Sequence, residues 1–357
     1  MHNISTTVIQ IPTLSPSIQD LPTELQSFPR VRLAHLPTPL CELKGLSKSL
    51  QGPRILMKCD DLTGFADGGN KVRKLEFLVG QAVSEGSDSI ITCGGPQSNH
   101  CRQTAAAAAR CGLACHLLIS GEETENSHIA NLLLDSIFGA TLHWIGNRNR
   151  EEEMENVATK VRHSGGKPYI IPAGGSNSTG TLGYCAAFIE LWNQLQDANI
   201  KVDHIIFPTA SGGTQAGLAL GASLKNFKGK ITGISIDQSP DKEQEYKFCA
   251  HLAKISNEAS QFLGVTKRFS ESDFSISYDY LGAGYGVVGS LEQEAIQLFG
   301  NYGLLLDPVY TARTFGALIQ LIQKGAFLPE EVVLFWHTGG TTGLHAYPFK
   351  TLIKTNL

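Results

Sequence analysis

No apolar run in this chain of 357 residues approaches the roughly 18 that a membrane-spanning helix needs. Charge of one sign is not in excess either. Lys and Arg number 29 against 33 Asp and Glu, leaving a formal net charge of −4 and a pI near 6.3. So even a balance makes no electrostatic case for nucleic acid or an anionic membrane as partner. The eight cysteines include no C-x-x-C pair, and their wide scatter fits neither a zinc ribbon nor a small disulfide scaffold. Cys111, Cys115 and His116 cluster, but no second ligand pair lies at a suitable spacing, so no metal is expected. No Lys or Arg precedes Arg30 and no apolar h-region is present. A signal or transit peptide is therefore not expected, and a reducing, cytoplasmic location is. Repeats of solenoid period and low-complexity blocks are also lacking.

What the chain has in surplus is glycine: 37 residues, about one in ten against a usual frequency of roughly 7%. The length suggests two domains at about 150 residues each. Residues 1–28, interrupted by Pro12, Pro16 and Pro22, read as an extended arm. Beyond Arg30, short β-branched runs alternate with helical patterns, the signature of parallel α/β architecture. Strands are expected at 54–58, 89–93, 115–119, 141–145, 168–171, 203–207, 231–236 and 332–336. Helices are expected near 127–138, 151–163, 179–196 and 214–224, with an Ala-rich one through 105–109. A further helix follows Gly69, its apolar face formed by Val72, Leu75, Leu78, Val79 and Ala82 at spacings of three and four.

The glycines cluster where strand-like runs end and helices open: Gly68-Gly-Asn-Lys71, Gly94-Gly-Pro-Gln-Ser-Asn99, Gly174 to Gly180, Ser211-Gly-Gly-Thr-Gln-Ala-Gly217 and His337-Thr-Gly-Gly-Thr-Thr-Gly343. Such turns bring backbone close to a ligand, and free N–H groups at a helix start attract anions. Several of them at the C-terminal edge of one sheet would share a crevice suited to a phosphate-bearing group. A dinucleotide is unsupported, because no G-x-G-x-x-G opens an early βαβ unit. Gly212 to Gly217 has P-loop spacing, but Leu218-Ala219 replaces the required Lys-Ser/Thr. A monophosphate held by Ser211, Gly212, Gly213 and Thr214 fits better; the plainer alternative is a glycine turn that packs helix on strand. Lys71 sits in a cramped turn where desolvation would make its amine nucleophilic toward an aldehyde. An activated lysine beside a phosphate site is what pyridoxal phosphate demands. The alternative is a surface lysine heading a basic helix with Arg73 and Lys74.

From about Arg30 to Tyr347 the chain resembles the fold-type II pyridoxal-phosphate enzymes, the tryptophan synthase beta-like group. Within them it resembles the family of D-cysteine desulfhydrase and aminocyclopropane-carboxylate deaminase. The segments that carry the likeness stand in one order: Leu36-Pro-Thr-Pro-Leu40, Lys58-Cys-Asp-Asp61, Gly68 through Phe77, Gln97-Ser-Asn-His100, Ser211 through Gly217, Gly284-Tyr-Gly286, Asp307-Pro-Val-Tyr-Thr311 and His337-Thr-Gly-Gly340. The resemblance implies that Lys71 holds pyridoxal 5'-phosphate as a Schiff base and serves as base on the substrate Cα. It implies that Asn99 bonds the ring hydroxyl, and that Gln97, Ser98 and Asn99 receive the carboxylate of a small amino-acid substrate. Ser98 would also take part in proton transfer or attack, with a plain helix N-cap as its bland alternative. Tyr310 would flank the ring and Tyr285 would face the substrate; each could equally be a half-buried tyrosine with a bonded hydroxyl. Thr338 would meet the pyridine nitrogen, where a neutral hydroxyl leaves the ring a moderate electron sink, sufficient when a good β leaving group departs.

The resemblance also implies two open, twisted parallel-sheet α/β domains. The larger, cofactor-binding one comprises 29–67 plus 183–357, and a smaller one, 68–182, is inserted. A homodimer is implied as well. Deaminases of the cyclopropane amino acid usually carry Glu after the Tyr of Asp-Pro-Val-Tyr and Gln after Gln-Ser-Asn; here Thr311 and His100 stand there. Both fall on the desulfhydrase side, which points to α,β-elimination from D-cysteine giving pyruvate, hydrogen sulfide and ammonia. Gly94-Gly95-Pro96 and Thr341-Thr342-Gly343 depart from bacterial desulfhydrases. A cysteate sulfo-lyase or another β-substituted amino acid lyase, the deaminase itself and a catalytically silent amino-acid-binding paralogue therefore stand as alternatives. The intact Lys71, Ser98 and Tyr310 argue against the last.

Overall fold

The computed structural model describes residues 23–124, 129–237 and 241–353. Two sheets carry the fold. The chain enters the larger through β1 (Leu40–Glu42) and β2 (Arg54–Cys59). It then builds the smaller from β3 (Ser89–Gly94), β4 (Ala114–Ser120), β5 (Thr141–Gly146) and β6 (Pro168–Ile170). It returns to the larger for β7 (His204–Thr209), β8 (Lys230–Ser235), β9 (Ser275–Ser277) and β10 (Val332–His337). The strand orders are β1-β2-β10-β7-β8-β9 and β5-β4-β3-β6. Every pairing is parallel except the antiparallel edge pair of β1 with β2.

The helices follow as α1 (Lys44–Ser49), α2 (Lys71–Ser84), α3 (Asn99–Cys111), α4 (Ala130–Ile137), α5 (Arg150–His163) and α6 (Ser178–Asp197). After them come α7 (Gly213–Leu224), α8 (Lys242–Phe262), α9 (Ser290–Gly300), α10 (Thr311–Gln323) and α11 (Phe349–Leu352). Parallel strands must be covered on both faces, so they read as apolar runs rather than alternations. All six residues of β3 are buried, for example. Alternate side chains then serve opposite layers. Met57, Val333 and Phe335 meet Phe299 of α9 and Phe315 of α10, whereas Leu56, Leu334 and Trp336 meet Tyr184 and Phe188 of α6. In the smaller sheet Ile90 and Leu117 pack under α2 and α3, and Ile91 and Leu118 pack under Met154 and Val157 of α5. Each large apolar side chain buried in this way contributes about 1.5–3 kcal/mol.

The expected strands are present to within two residues at each end, as are the expected helices, save that α4 starts at Ala130. The residues before it, 125–128, lie outside the described ones. The pattern reading overlooked the short strands β1 and β9 and the helices α1, α8, α9, α10 and α11; in α8 the apolar face is diluted by charge. One expectation is corrected: the His337-to-Gly343 turn opens a 3-10 segment, Thr341–Ala346, and not an α-helix. Of the arm expected at 1–28, residues 1–22 lie outside the described ones, while Leu25 is fully buried against Phe77 and Leu182.

The order of the larger sheet determines where a site can form. β2, β10 and β7 are adjacent and parallel, so the segments leaving their C-terminal ends emerge side by side, and crevices of open α/β sheets lie at such edges.

Candidate active site

The segment leaving β2 turns sharply before α2. Gly68 has φ +68°, and a Cβ on it would stand 1.8 Å from the Asp61 carbonyl oxygen, so no side chain fits. The turn is tied down by the Gly69 N–H to Asp60 O (2.9 Å) and the Asn70 N–H to Thr338 O (2.9 Å). Asn70 Nδ2 donates to Thr214 Oγ1 (3.2 Å). Lys71 is thereby delivered to the mouth of a crevice of about 410 Å³, partly open to solvent. The same crevice is lined by Asn99, Ser211, Gly212, Thr214, Tyr310 and Thr338 among others. Lys71 Nζ makes no hydrogen bond among the described residues, and burial, opposed only in part by Asp237, pulls its pKa down to about 8. A lysine so placed carries the neutral, nucleophilic form at accessible pH.

Ser211, Gly212 and Thr214 bring the crevice to the first turn of α7, where Thr214 and Gln215 N–H groups have no helical carbonyl to bind. Ser176 organises it, donating to Ser211 Oγ (2.8 Å) and accepting from Gly213 N–H (3.0 Å). The Gly174-to-Gly180 turn thus supports this loop from behind. Lys74, one helical turn beyond Lys71, is buried and donates to Gly174 O (3.1 Å). Burial and the neighbouring Lys71 push its pKa well down. His100 is treated likewise by burial and both lysines. A region with two amines, an imidazole and a helix N-terminus favours a bound anion. Thr209 Oγ1, buried at the wall, also lacks a partner. These features fit pyridoxal 5'-phosphate.

Gln97, Ser98 and Tyr285 are not among the residues lining this crevice; the first two precede Asn99 in the chain, and Tyr285 touches Tyr310. Ser98 is the N-cap of α3, accepting from Cys101 N–H at 3.1 Å. Gln97 turns its amide to the start of α4, accepting from Asn131 N–H (3.0 Å) and donating to Ile129 O (3.3 Å). Tyr285 and Tyr310 share a hydroxyl contact of 2.7 Å. Burial first, and for Tyr310 the Tyr285 hydroxyl next, raise both phenol pKa values. Asp307 fixes Tyr310 by accepting the N–H groups of Val309 (2.9 Å), Tyr310 (2.9 Å) and Thr311 (2.7 Å). Thr311 is fully buried, its hydroxyl spent on Asp307 Oδ1 at 2.7 Å. His337 anchors the Thr338 loop through Leu305 O (2.8 Å) and Gly339 N–H (3.1 Å).

Arg73 and Lys74 correct the surface alternative: they are 2% and 1% exposed. Arg73 donates to both oxygens of Asp60 (2.8 and 3.0 Å) and both of Glu190 (2.9 and 3.0 Å). Tyr184 (2.6 Å), Trp336 Nε1 (2.9 Å) and Thr38 Oγ1 (3.0 Å) also donate to Asp60. Lys58 joins Glu190 to Thr38 O at 2.6 and 2.7 Å. This network locks α2 to β2 and α6 directly behind Lys71. Sequence reading missed it, although Lys58-Cys-Asp-Asp61 was singled out, because nothing in a linear pattern pairs Asp60 with Arg73. Among the described residues no group of three or more metal-ligating side chains occurs, all eight cysteines are free, and no helix is long and apolar enough to cross a membrane.

Comparison with known proteins agrees with this geometry. Residues 31–339 match the model of a family described as pyridoxal-phosphate dependent enzymes. A Pyrococcus abyssi (strain GE5 / Orsay) protein, provisionally named 1-aminocyclopropane-1-carboxylate deaminase, is 38% identical over 330 residues, 90% of this chain and 95% of that one. The D-cysteine desulfhydrase of Klebsiella pneumoniae (strain 342) is likewise 38% identical over 330 residues, 90% and 97% of the two chains. A crystal structure of an ACC deaminase homologue superposes with a TM-score of 0.83 at 36% identity, covering 94% of this chain and 98% of that one. Matched over residues 31–339 and 38% identical to two relatives across 90% of its length, the chain belongs to the pyridoxal-phosphate dependent enzymes.

Proposed function

We propose that this enzyme is a carbon–sulfur lyase that carries out α,β-elimination on D-cysteine, releasing pyruvate, hydrogen sulfide and ammonia. The observation that carries the chemistry is the Lys71 amine, unbonded and with its pKa lowered to about 8, facing the cradle at Ser211, Gly212, Gly213 and Thr214. Bound pyridoxal phosphate supplies the electron sink for the charge left on the substrate Cα. Lys71 holds and moves the Cα proton. Ser98, with the free N–H groups at the start of α3, receives the substrate carboxylate, the Gln97 loop shaping that end. Asn99 faces the ring hydroxyl, Thr338 the ring nitrogen, and Tyr310 and Tyr285 flank the ring and the substrate. Closure of the smaller domain, 68–182, over the larger, 29–67 plus 183–357, excludes water during the reaction. The assembly is a cytoplasmic homodimer.

The choice of D-cysteine is supported by Thr311, a small neutral residue turned inward onto Asp307, where a cyclopropane deaminase would carry a carboxylate. The second reading, opening of the cyclopropane ring, has equal identity to the Pyrococcus abyssi protein in its favour. Assay of purified enzyme on both compounds separates them. Sulfide and pyruvate from D-cysteine, with little 2-oxobutyrate from aminocyclopropane carboxylate, is the expected outcome, and the opposite ranking overturns it. Lys71→Ala is expected to abolish turnover and the visible cofactor band that borohydride removes; a persisting band would remove Lys71 from its role.

A further inference from the structure

Two fully buried side chains just outside the cavity wall, Arg102 of α3 and Asn131 of α4, spend their hydrogen bonds on the site loops. Arg102 Nη1 shares its two hydrogens among Asn99 Oδ1 (3.1 Å), Asn131 Oδ1 (2.7 Å) and Thr342 Oγ1 (2.9 Å), and Nη2 donates to Gly68 O (2.8 Å). Asn131 Nδ2 donates to Gln97 O (3.0 Å) and Asn99 Oδ1 (3.2 Å), and its N–H donates to Gln97 Oε1 (3.0 Å). None of these contacts is demanded by helix formation. All converge on Gln97 to Asn99 and on the two loops that carry Lys71 and Thr338.

We propose that Arg102 and Asn131 are positioning residues that lock the amide of Asn99 with its nitrogen toward the cavity, as a committed donor to the cofactor. The proposal rests on reading the cavity as the pyridoxal phosphate site. An asparagine amide offers one acceptor oxygen and two N–H donors, and which end points where is decided by its surroundings. Here the oxygen already receives two donors, one of them cationic. Turning the amide over would set its N–H groups against those donors, which belong to two fully buried side chains. Nδ2 is thus left facing Gly340, where an added Cβ would lie 2.6 Å from it and φ is +98°. Only glycine leaves that donor room to reach a ligand. Because the guanidinium also grips Gly68 O and Thr342, whose hydroxyl donates to Asp67 (3.1 Å), it ties the smaller sheet's helices to both loops of the larger.

The test uses Asn131→Ala, Asn99→Ala and the double variant. Apoprotein is titrated with pyridoxal phosphate for its Kd, and the visible band of the loaded protein is titrated with pH. Removal of one buried hydrogen-bonded partner is expected to weaken cofactor binding about tenfold and to shift the pH midpoint of the band in Asn131→Ala. Since Asn131 would act through Asn99, the double variant should be no worse than Asn99→Ala alone. Wild-type Kd and midpoint in Asn131→Ala, or multiplied losses in the double variant, would overturn the proposal. Wild-type protein that takes up no pyridoxal phosphate would instead overturn the cofactor reading together with it. If Asn131→Ala does not fold, Arg102→Lys carries the same test, since it keeps the charge but loses the fork.

Discussion

Two buried basic regions lie at the start of α2, and they are opposites. Arg73 is surrounded by carboxylates. Burial alone would lower its pKa, yet Asp60 and Glu190 outweigh burial and raise it well above the ordinary value. Lys71 and Lys74, two residues before and one after, have no carboxylate strong enough to offset burial: Asp237 opposes it only in part at Lys71, and burial drives both pKa values down. A buried charge that is paired can be permanent; one that is unpaired must either give up its proton or wait for an anion. The first region is therefore a fixture of the fold, and the second suits an anionic ligand. The lesson is that burial of a basic side chain says little until its counter-charge is found.

The largest expected effect breaks the paired region. Arg73→Ala leaves Asp60 and Glu190 buried without their partner and is expected to cost about 3–5 kcal/mol, read as a lower denaturant midpoint at unchanged slope. The unpaired region is sharpened by pH. Capture of pyridoxal phosphate by apoprotein should speed up as pH rises and level off above about 8, the Lys71 value. A rise that continues toward the ordinary lysine pKa of about 10.4 would show that Lys71 is not desolvated.

Asp135 provides the acidic counterpart of Lys71 and Lys74. It is 1% exposed, neither carboxylate oxygen has a hydrogen-bond partner among the described residues, and burial, only partly offset by Arg102, pushes its pKa up to about 8. Unfolded, it titrates near 4, so between about pH 4 and 8 the native state holds the extra proton and stability falls as pH rises, by at most about 1.4 kcal/mol per unit. Asp135→Asn is expected to remove that slope and to be more stable than wild type at pH 8, as urea denaturation at several pH values will show. The smallest effect belongs to Ser98→Ala, which loses the α3 cap and should cost about 1 kcal/mol. It should keep the cofactor spectrum and lose most turnover; retained turnover would make Ser98 a cap and nothing more.

Much of this was legible in the primary structure because it is local. The β2, β3, β7 and β10 runs declare themselves through uninterrupted apolar residues, and α2 through Val72, Leu75, Leu78 and Val79. α8 did not, since a helix with one narrow buried stripe and many charges looks like solvated surface. The five glycine turns were visible as punctuation, and those at Lys71, Asn99, Ser211 and Thr338 meet at one crevice. The contact of the Gly174 turn, Ser176 on Ser211, joins residues far apart in the chain, and no local pattern signals it. Arg102 and Asn131 sent no linear signal at all: one lies inside a polar helix start, the other in the first turn of α4, and their shared target is Asn99.

The sequence by itself determined the class of the molecule: parallel sheets, glycine turns at strand ends, and a lysine where only a special turn would put one. These follow from backbone sterics and hydrophobic periodicity, which act within a few residues. Tertiary structure alone decided which charges are paired. Asp60 lies 13 residues from Arg73, and Glu190 lies 117 from it, so whether α2 opens on a salt bridge or on a bare amine depends on where distant strands and helices bring their carboxylates. Coulombic and desolvation energies depend on distance in space and on the dielectric around the group, and neither is written along the chain.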